Sequence, residues 1–322
     1  MPIVSNPTAG DVHVNTPLTN FSQKFLQSAD AFVAGRAFPN IGVPKQSDLY
    51  YTFDKDDFMR DEAAERADGA ESEGGGFTLS TDPYYARVYA YHKDVTDRQR
   101  ANQDSPIQLD QSSAQFVTQK LLIKRETQFV TDLFSTGLWT GDTNTNWSAS
   151  ASDPIGEVRT AIQTVHLATG YRPNKMLISR TGYDTLLDND EILSRITGGA
   201  TTAIPAKVMR GLLASLFELD QIFVMDSVSN TNKKGNATQT KTWIGGDNCL
   251  IYYAPDSAGL NEPTAGVQFS WTGLLGNTGD GMRMKKIRAD LVGADRIEGE
   301  MAFDHKLTGP ELGYMYTSVS SA

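Results

Sequence analysis

Residues 105–136 read SPIQLDQSSAQFVTQKLLIKRETQFVTDLFST. Their spacing predicts one long helix. Ser105 suits the N-cap and Pro106 the first helical position, and Gln108, three residues after Ser105, completes a capping-box pattern. Leu109, Phe116, Ile123 and Val130 recur every seven residues, and Leu122, Phe129 and Leu133 widen the seam. Gln111, Gln119, Lys124, Arg125 and Gln128 fall largely outside it, and Gly137 is placed to end the run. Such a helix is roughly 45 Å long at ~1.5 Å per residue, more than a compact domain needs. It predicts a spine that ties a body to parts reaching beyond it. The plainer alternative is a core helix of an ordinary globular protein.

Upstream, residues 1–47 are rich in Pro, Asn, Ser and Thr, with a short helix expected over 18–33 and Phe21, Phe25 and Phe32 on one side. Pro39 and Pro44 then favour an extended path, so the segment reads as an arm that lies on another surface. Residues 49–59 alternate like a strand, and 84–92, YYARVYAYH, read as the return strand. Between them lies an acidic, Gly-rich stretch, and an extended hairpin with a flexible tip accounts for it better than a structureless loop. Residues 54–73 carry nine acids (Asp54, Asp56, Asp57, Asp61, Glu62, Glu65, Asp68, Glu71, Glu73) against Lys55, Arg60 and Arg66. A two-stranded hairpin is marginal on its own in water, so it needs a surface, such as a neighbouring copy of the chain.

Downstream, Trp139 and Trp147 stand in a polar loop, followed by a helix over 154–168 with Ile155, Val158, Ile162 and Val165 on one face. Asp153 caps it, with Pro154 at its first position. A strand at 175–179, a short helix through Tyr183, Leu186 and Leu187, a Gly/Thr loop at 198–204 and a helix over 205–217 follow. Strands at 221–225, 243–244 and 249–253, with a polar hairpin or loop at 229–241, complete a mixed α/β unit over 156–280. From 282 the pattern is β again, with Ile297, Met301 and Phe303 on one face. Thr308-Gly309-Pro310 turns the chain, and Leu312, Tyr314 and Tyr316 alternate on the way back.

Bulk composition excludes several function classes. The 322 residues, 39% hydrophobic and 21% charged, fit a globular protein with a sizeable core rather than a disordered chain. No run is apolar enough to span a bilayer, and residues 1–14 lack the pattern of a signal peptide. A single cysteine, Cys249, leaves no internal disulfide, and a net charge of −10 argues against a tight non-specific grip on DNA. The chain has no Gly-rich phosphate loop, nucleophile elbow or H-E-x-x-H, and His13, His92, His166 and His305 stand far apart. Asp142-x-Asn144-x-Asn146 begins like a calcium loop that Asp153 would close, but Trp147 takes the place of the required Gly and the closing residue is not Glu. Catalytic, cofactor and metal residues are therefore expected to be none. The acids of 54–73 read as a partner-facing surface rather than a catalytic pair.

The order of parts is arm, acidic hairpin, spine helix, α/β unit and returning β segment. It resembles the major capsid proteins of tailed bacteriophages, which have the Hong Kong 97-type shell fold. The likeness is closest over 134–197, with Leu138-Trp139, Trp147, Ser152-Asp153-Pro154-Ile155, Thr169-Gly170, Pro173-Asn174, Leu186-Leu187 and Glu191-Ile192-Leu193-Ser194-Arg195-Ile196. The resemblance implies an α+β phage capsid fold. Its parts are an N-terminal arm (1–47), an extended β-hairpin loop (48–100), a peripheral domain with the spine helix (101–155 and 281–322) and a mixed α/β axial domain (156–280). It implies no enzyme. The implied function is self-assembly into pentamers and hexamers that close an icosahedral head shell around double-stranded DNA, without sequence-specific binding. It places the protein in the virion, assembled in the bacterial host cytoplasm, with no membrane partner and with separate scaffolding, portal and cementing proteins as partners. The founding pattern begins with a scaffolding domain that is cut away, whereas here the arm is expected almost from Met1. It also cross-links through a hairpin lysine, and no lysine lies between Asp56 and His92. An encapsulin-type compartment is the alternative within the fold, and a soluble enzyme the alternative outside it. The subunit interface is expected to pair Asp57, Arg60, Asp61, Glu62, Glu65 and Arg66 of the hairpin with Arg283, Lys285, Lys286 and Arg288 of a neighbour.

Overall fold

A computed structural model of the chain describes residues 26–103, 108–149, 151–196, 210–236, 238–259, 262–275 and 282–320. After a 3-10 turn at Ala29–Ala31 come β1 (Asn40–Val43), β2 (Ser47–Phe53), a short helix Lys55–Phe58, β3 (Leu79–Tyr85), β4 (Arg87–Thr96) and a short helix Asp97–Ala101. The long helix α1 (Leu109–Leu133) leads to β5 (Gly141–Asn144), α2 (Pro154–Thr169), β6 (Lys175–Ser179), α3 (Arg180–Asp188) and α4 (Asp190–Ile196). Next are α5 (Arg210–Phe217), β7 (Gln221–Met225), β8 (Val228–Asn230), β9 (Lys241–Trp243) and β10 (Asn248–Tyr252). The last strands are β11 (Gly266–Trp271), β12 (Met282–Ala289), β13 (Ala294–Leu307) and β14 (Gly313–Thr317).

Two five-stranded sheets organise this α+β fold. One runs β1-β11-β13-β12, with β4 along the other edge of β13. The second runs β5-β14-β10-β6-β7. β2-β3 and β8-β9 are separate two-stranded ribbons.

The helix α1 joins the two sheets. Val117 and Leu121 pack on Met301 and Phe303 of β13. The backbone of Gly299 lies so close beneath them that a Cβ there would stand 2.7 Å from both side chains. Phe129 and Leu133 reach the other cluster, with Phe38, Trp139, Leu177 and Tyr252. The sequence places the seam one step away from where it lies. The buried stripe is Ser113, Val117, Leu121, Arg125, Glu126, Phe129 and Leu133, while Phe116 is exposed and Ile123 half-buried. The charges of Arg125 and Glu126 interrupt the apolar pattern, so the heptad of Leu109, Phe116, Ile123 and Val130 looked stronger than the true four-residue repeat. The helix begins at Leu109 with Gln108 at the N-cap and no side-chain bond. Ser105 and Pro106 lie outside the described residues.

The second sheet is buried on both faces, as an almost unbroken apolar β6 requires. Met176 and Ile178 face a cluster with α2 and α5, and Leu177 faces the cluster with α1. Asp153 caps α2, as the sequence predicts, accepting from Gly156 N at 2.6 Å, and Gly170 ends it at φ 73°. The described part of the helix expected at 205–217 is Arg210–Phe217; residues 198–204, expected as a loop, lie outside the described residues.

Four local expectations are corrected. First, the strand of 49–59 ends at Phe53, because Asp54 accepts from Asp56 N and caps the short helix. Second, YYARVYAYH is two strands. The partner of β2 is β3, with Phe53 opposite Leu79, and the chain breaks at buried Ala86 so that β4 can pair with β13. Third, β14 does not return along β13. It crosses to β10 and β5, where Trp139 covers Gly313 and Met315 is fully buried. Conversely, β11 leaves the α/β unit for β13 and β1. Fourth, only the 3-10 turn is found in the described part of the helix expected at 18–33. The amides of Val33 and Ala34 bond to the Glu126 carboxylate instead of continuing a helix.

Candidate assembly interface

The hairpin β2-β3 has two faces of different fate. On one, Tyr50 and Tyr84 lie against Phe269 of β11, with ring centroids 5.5 and 4.6 Å away, which fixes the base of the hairpin to the first sheet. On the other, Leu49, Tyr51, Phe53 and Leu79 are in register and exposed, Tyr51 at 70%. At the end of the ribbon Phe53, Phe58 and Phe77 contact one another at 5.7–6.3 Å, and Phe58 and Phe77 stay at least 60% exposed. An apolar sheet face of this extent marks an interaction surface.

The acids beyond it are mostly uncommitted. Asp57 accepts from Thr78 N at 2.7 Å, which holds its carboxyl below the usual range and pins the two sides of the loop. Arg60 lies 3.5 Å from Asp57 and 3.8 Å from Glu62, and Arg66 donates to the Ala70 carbonyl. Asp61, Glu65, Asp68, Glu71 and Glu73 have no cationic partner among the described residues.

The basic cluster expected to meet a neighbour's hairpin is engaged by acids of its own chain. The register of β12 on β13 sets Arg283 opposite Glu300, and both Arg283 and Lys285 meet Glu300 at 2.6 Å. Lys286 meets Asp110 at 2.8 Å and Asp295 at 3.3 Å, while Arg288 meets Asp97, Asp290 and Asp295. Arg100 closes the network on Asp295 and Asp110. Hydrogen bonds from Arg100 and Arg288 hold the Asp295 carboxyl at about 2. These cations answer acids of their own chain, which a sequence pattern without strand pairing cannot reveal.

Sequence reasoning also missed a buried polar knot on α1. Glu126 is fully buried and accepts from the backbone N–H groups of Val33 and Ala34 at 2.9–3.1 Å; burial pushes its carboxyl up. The guanidinium of Arg125 lies against Gly35, where a Cβ would stand 2.8 Å from Nη2. His305 packs between Phe129 and Phe303, and burial drives its pKa down to about 3. The Lys-Arg-Glu run inside an apolar stripe is the signal that marks this site. The knot fastens residues 33–35 to α1.

The former chemical candidates serve structure. Asp142 accepts from Gly137 N, Asn146 from Ser148, and Asp153 from Gly156, so the calcium-like residues point to separate tasks. Cys249 is fully buried and its thiol is pushed up by burial. Among the described residues, no three His, Cys, Asp or Glu side chains gather as a metal site, and no helix is long and apolar enough to cross a membrane.

No family model matches the chain. In sequence it is similar to the major capsid protein of Burkholderia phage BcepMu, 24% identical over 233 residues, which cover 69% of this chain and 70% of that protein. A phage-related protein from Bordetella bronchiseptica superposes with a TM-score of 0.67 at 17% identity, over 91% of this chain and 93% of that one. The capsid of cyanophage P-SCSP1u gives 0.62 at 10% identity, over 97% and 94%. The SrpI encapsulin from Synechococcus elongatus gives 0.54 at 10% identity, over 93% and 92%. The chain thus has the fold of protein shells. Within that class it is the Hong Kong 97-type phage capsid fold, and the resemblance to tailed-phage major capsid proteins read from the order of parts is borne out.

Proposed function

We infer that this chain is a major capsid protein, a structural subunit that associates with copies of itself to build the icosahedral head of a tailed bacteriophage. One observation carries the reading. A sequence relative that is itself a major capsid protein matches over more than two thirds of both chains, and phage capsid folds superpose along nearly all of it. The protein is a component of the virion.

The finer roles are our proposal. The sheet with α1 serves as the peripheral domain and the sheet with α2–α5 as the axial domain around the capsomer centre. Residues 1–47 act as the arm, and the hairpin of 48–100 reaches a neighbour. Subunits form pentamers and hexamers, assembled in the host cytoplasm on a separate scaffolding protein, with portal and cementing proteins added. The shell encloses double-stranded DNA without reading its sequence, which a subunit of net charge −10 can do by confinement alone. Asp57, Arg60, Asp61, Glu62, Glu65 and Arg66 take part in the subunit interface through the hairpin. Arg283, Lys285, Lys286 and Arg288 hold the β12 edge that borders it.

Native mass measurement of the expressed chain tests this. Megadalton particles or capsomers are expected, and small oligomers alone would overturn it. The encapsulin reading rests on the fold shared with the Synechococcus shell. Shells that retain a cargo enzyme, rather than nucleic acid, would favour it.

A further inference from the structure

The ribbon β8-β9 belongs to neither five-stranded sheet. Its root is fixed. The Gln27 side-chain amide accepts from Val228 N at 2.8 Å and donates to the Val228 carbonyl at 2.7 Å, and Ile244 N donates to the Ser227 carbonyl. Its far end is held by neutral side chains. Asn230 donates to Gln239 at 2.5 Å, Asn232 to the Thr238 carbonyl at 2.8 Å, and Gln239 to the Asn236 carbonyl at 2.6 Å. Gly235 turns the chain between Lys234 and Asn236 at φ 99°, a backbone state that suits glycine.

Between Asp226 and Asp247 stand three lysines, Lys233, Lys234 and Lys241, and no acid. All three are exposed and meet no carboxylate among the described residues. The flanking acids are committed elsewhere: Asp226 pairs with Arg180 at 3.3 Å, and Asp247 accepts from Ser320 N and Oγ. A chain of net charge −10 thus presents a cationic ribbon whose shape is set before any partner arrives.

The chemistry of this ribbon separates it from the hairpin β2-β3, whose exposed rings mark a protein-facing surface. Apart from Trp243, 41% exposed, the described ribbon residues show no large apolar side chain to solvent. Protein interfaces are enriched in aromatic residues and depleted in lysine. Lys, Asn, Gln and Thr side chains, by contrast, are common donors to phosphate oxygens.

We propose that the β8-β9 ribbon contacts the phosphate backbone of double-stranded DNA through Lys233, Lys234 and Lys241, and so faces the lumen of the shell. This rests on the reading of the chain as a shell subunit around DNA, and it names where the subunit touches what it encloses. No base contact is involved. Three charges hold weakly, and repetition of the ribbon around a capsomer multiplies them. The acidic remainder of the subunit repels the duplex, so the ribbons decide where it approaches the wall.

Fluorescence anisotropy of a labelled duplex, titrated with capsomers between about 50 and 200 mM salt, tests the contact. Affinity is expected to fall with salt, with a log–log slope of about −3 for each engaged ribbon. Lys233→Gln, Lys234→Gln and Lys241→Gln together should weaken binding about tenfold or more and flatten that slope, with circular dichroism unchanged. Replacing the same three lysines by arginine should keep both affinity and slope. An unchanged affinity in the glutamine variant would overturn the proposal, as would an equal loss in the arginine variant. Binding to vesicles of anionic phospholipid but not to the duplex would overturn it too. In DNA-filled particles, electron cryo-microscopy should show the ribbon on the inner surface; a ribbon on the outer surface would contradict the proposal. If the parent forms closed shells while its duplex binding ignores these lysines, this contact falls and the shell function stands. If the parent forms neither capsomers nor shells, the shell function itself fails, and the enclosed duplex with it.

Discussion

The strands β13 and β2 both pair antiparallel and both alternate apolar and polar residues, yet they end in opposite conditions. β13 is flanked by strands on both edges and covered by α1. Its apolar side packs on Val117 and Leu121, and Glu300 on the opposite side meets Arg283 and Lys285 at 2.6 Å. β2 has one partner, one face anchored on Phe269, and the other face of Leu49, Tyr51 and Phe53 in the open. A region whose apolar and charged groups are answered inside the chain folds as a subunit. A region whose groups are left unanswered needs another molecule to finish it. The chain therefore divides into a self-sufficient body and an unfinished ribbon, and stability and assembly are expected to respond to different residues.

The largest effect on stability should come from the spine. Phe129 is fully buried where the cluster of α1 meets that of the second sheet, so Phe129→Ala should cost about 3–5 kcal/mol, read as a fall in the urea midpoint at unchanged slope. A smaller cost would mean that the two sheets do not share one core through α1. Next is Glu126→Ala, which strands the amides of Val33 and Ala34 in the interior and should cost roughly 3 kcal/mol. Amide exchange should then accelerate over 32–38 more than over β13. Equal acceleration everywhere would deny that the carboxylate acts as a local fastener.

Histidine 305 sharpens the comparison through pH. Its folded pKa of about 3 lies below the unfolded value near 6.5, so the unfolded chain binds the extra proton between those limits. The stability it permits is complete above pH 6.5 and declines as pH falls toward 3, by about 1 kcal/mol per unit. His305→Phe keeps the packing on Phe129 and Phe303 and should flatten the urea midpoint between pH 6.5 and 4.5, relative to the parent. An unchanged slope would place the acid sensitivity elsewhere. The smallest effect on the subunit is expected in the ribbon. Tyr51→Ser with Phe58→Ser should change subunit stability by no more than about 0.5 kcal/mol yet suppress shell formation. A large loss of stability in the isolated subunit would mean that the ribbon is already part of the core.

Much of the fold was legible where one physical signal dominated. The capped helix after Asp153 and the apolar strand of β6 each follow from local rules and appear as read. Pairing between distant segments was not legible. Nothing in YYARVYAYH marks Ala86 as the point where one ribbon ends and another sheet begins, because both strands alternate tyrosines in the same way. The seam of α1 was misplaced because two charges sit inside it, and the partners of Glu126 are backbone amides 92 and 93 residues away. The charge pattern was incompletely legible for the same reason. The cluster at 283–288 looked free until cross-strand pairing set it against Glu300 and Asp295, while Lys93, Lys120 and Lys124 look unremarkable until folding gathers them around Phe116 and Tyr89.

The division between a finished body and an unfinished ribbon is tested most directly by electron cryo-microscopy of particles assembled from the intact chain. The account predicts closed icosahedral shells in which the exposed face of Leu49, Tyr51 and Phe53, with Phe58 and Phe77, is buried against a neighbouring subunit. Small oligomers without a shell, or shells in which that face remains in solvent, would contradict it.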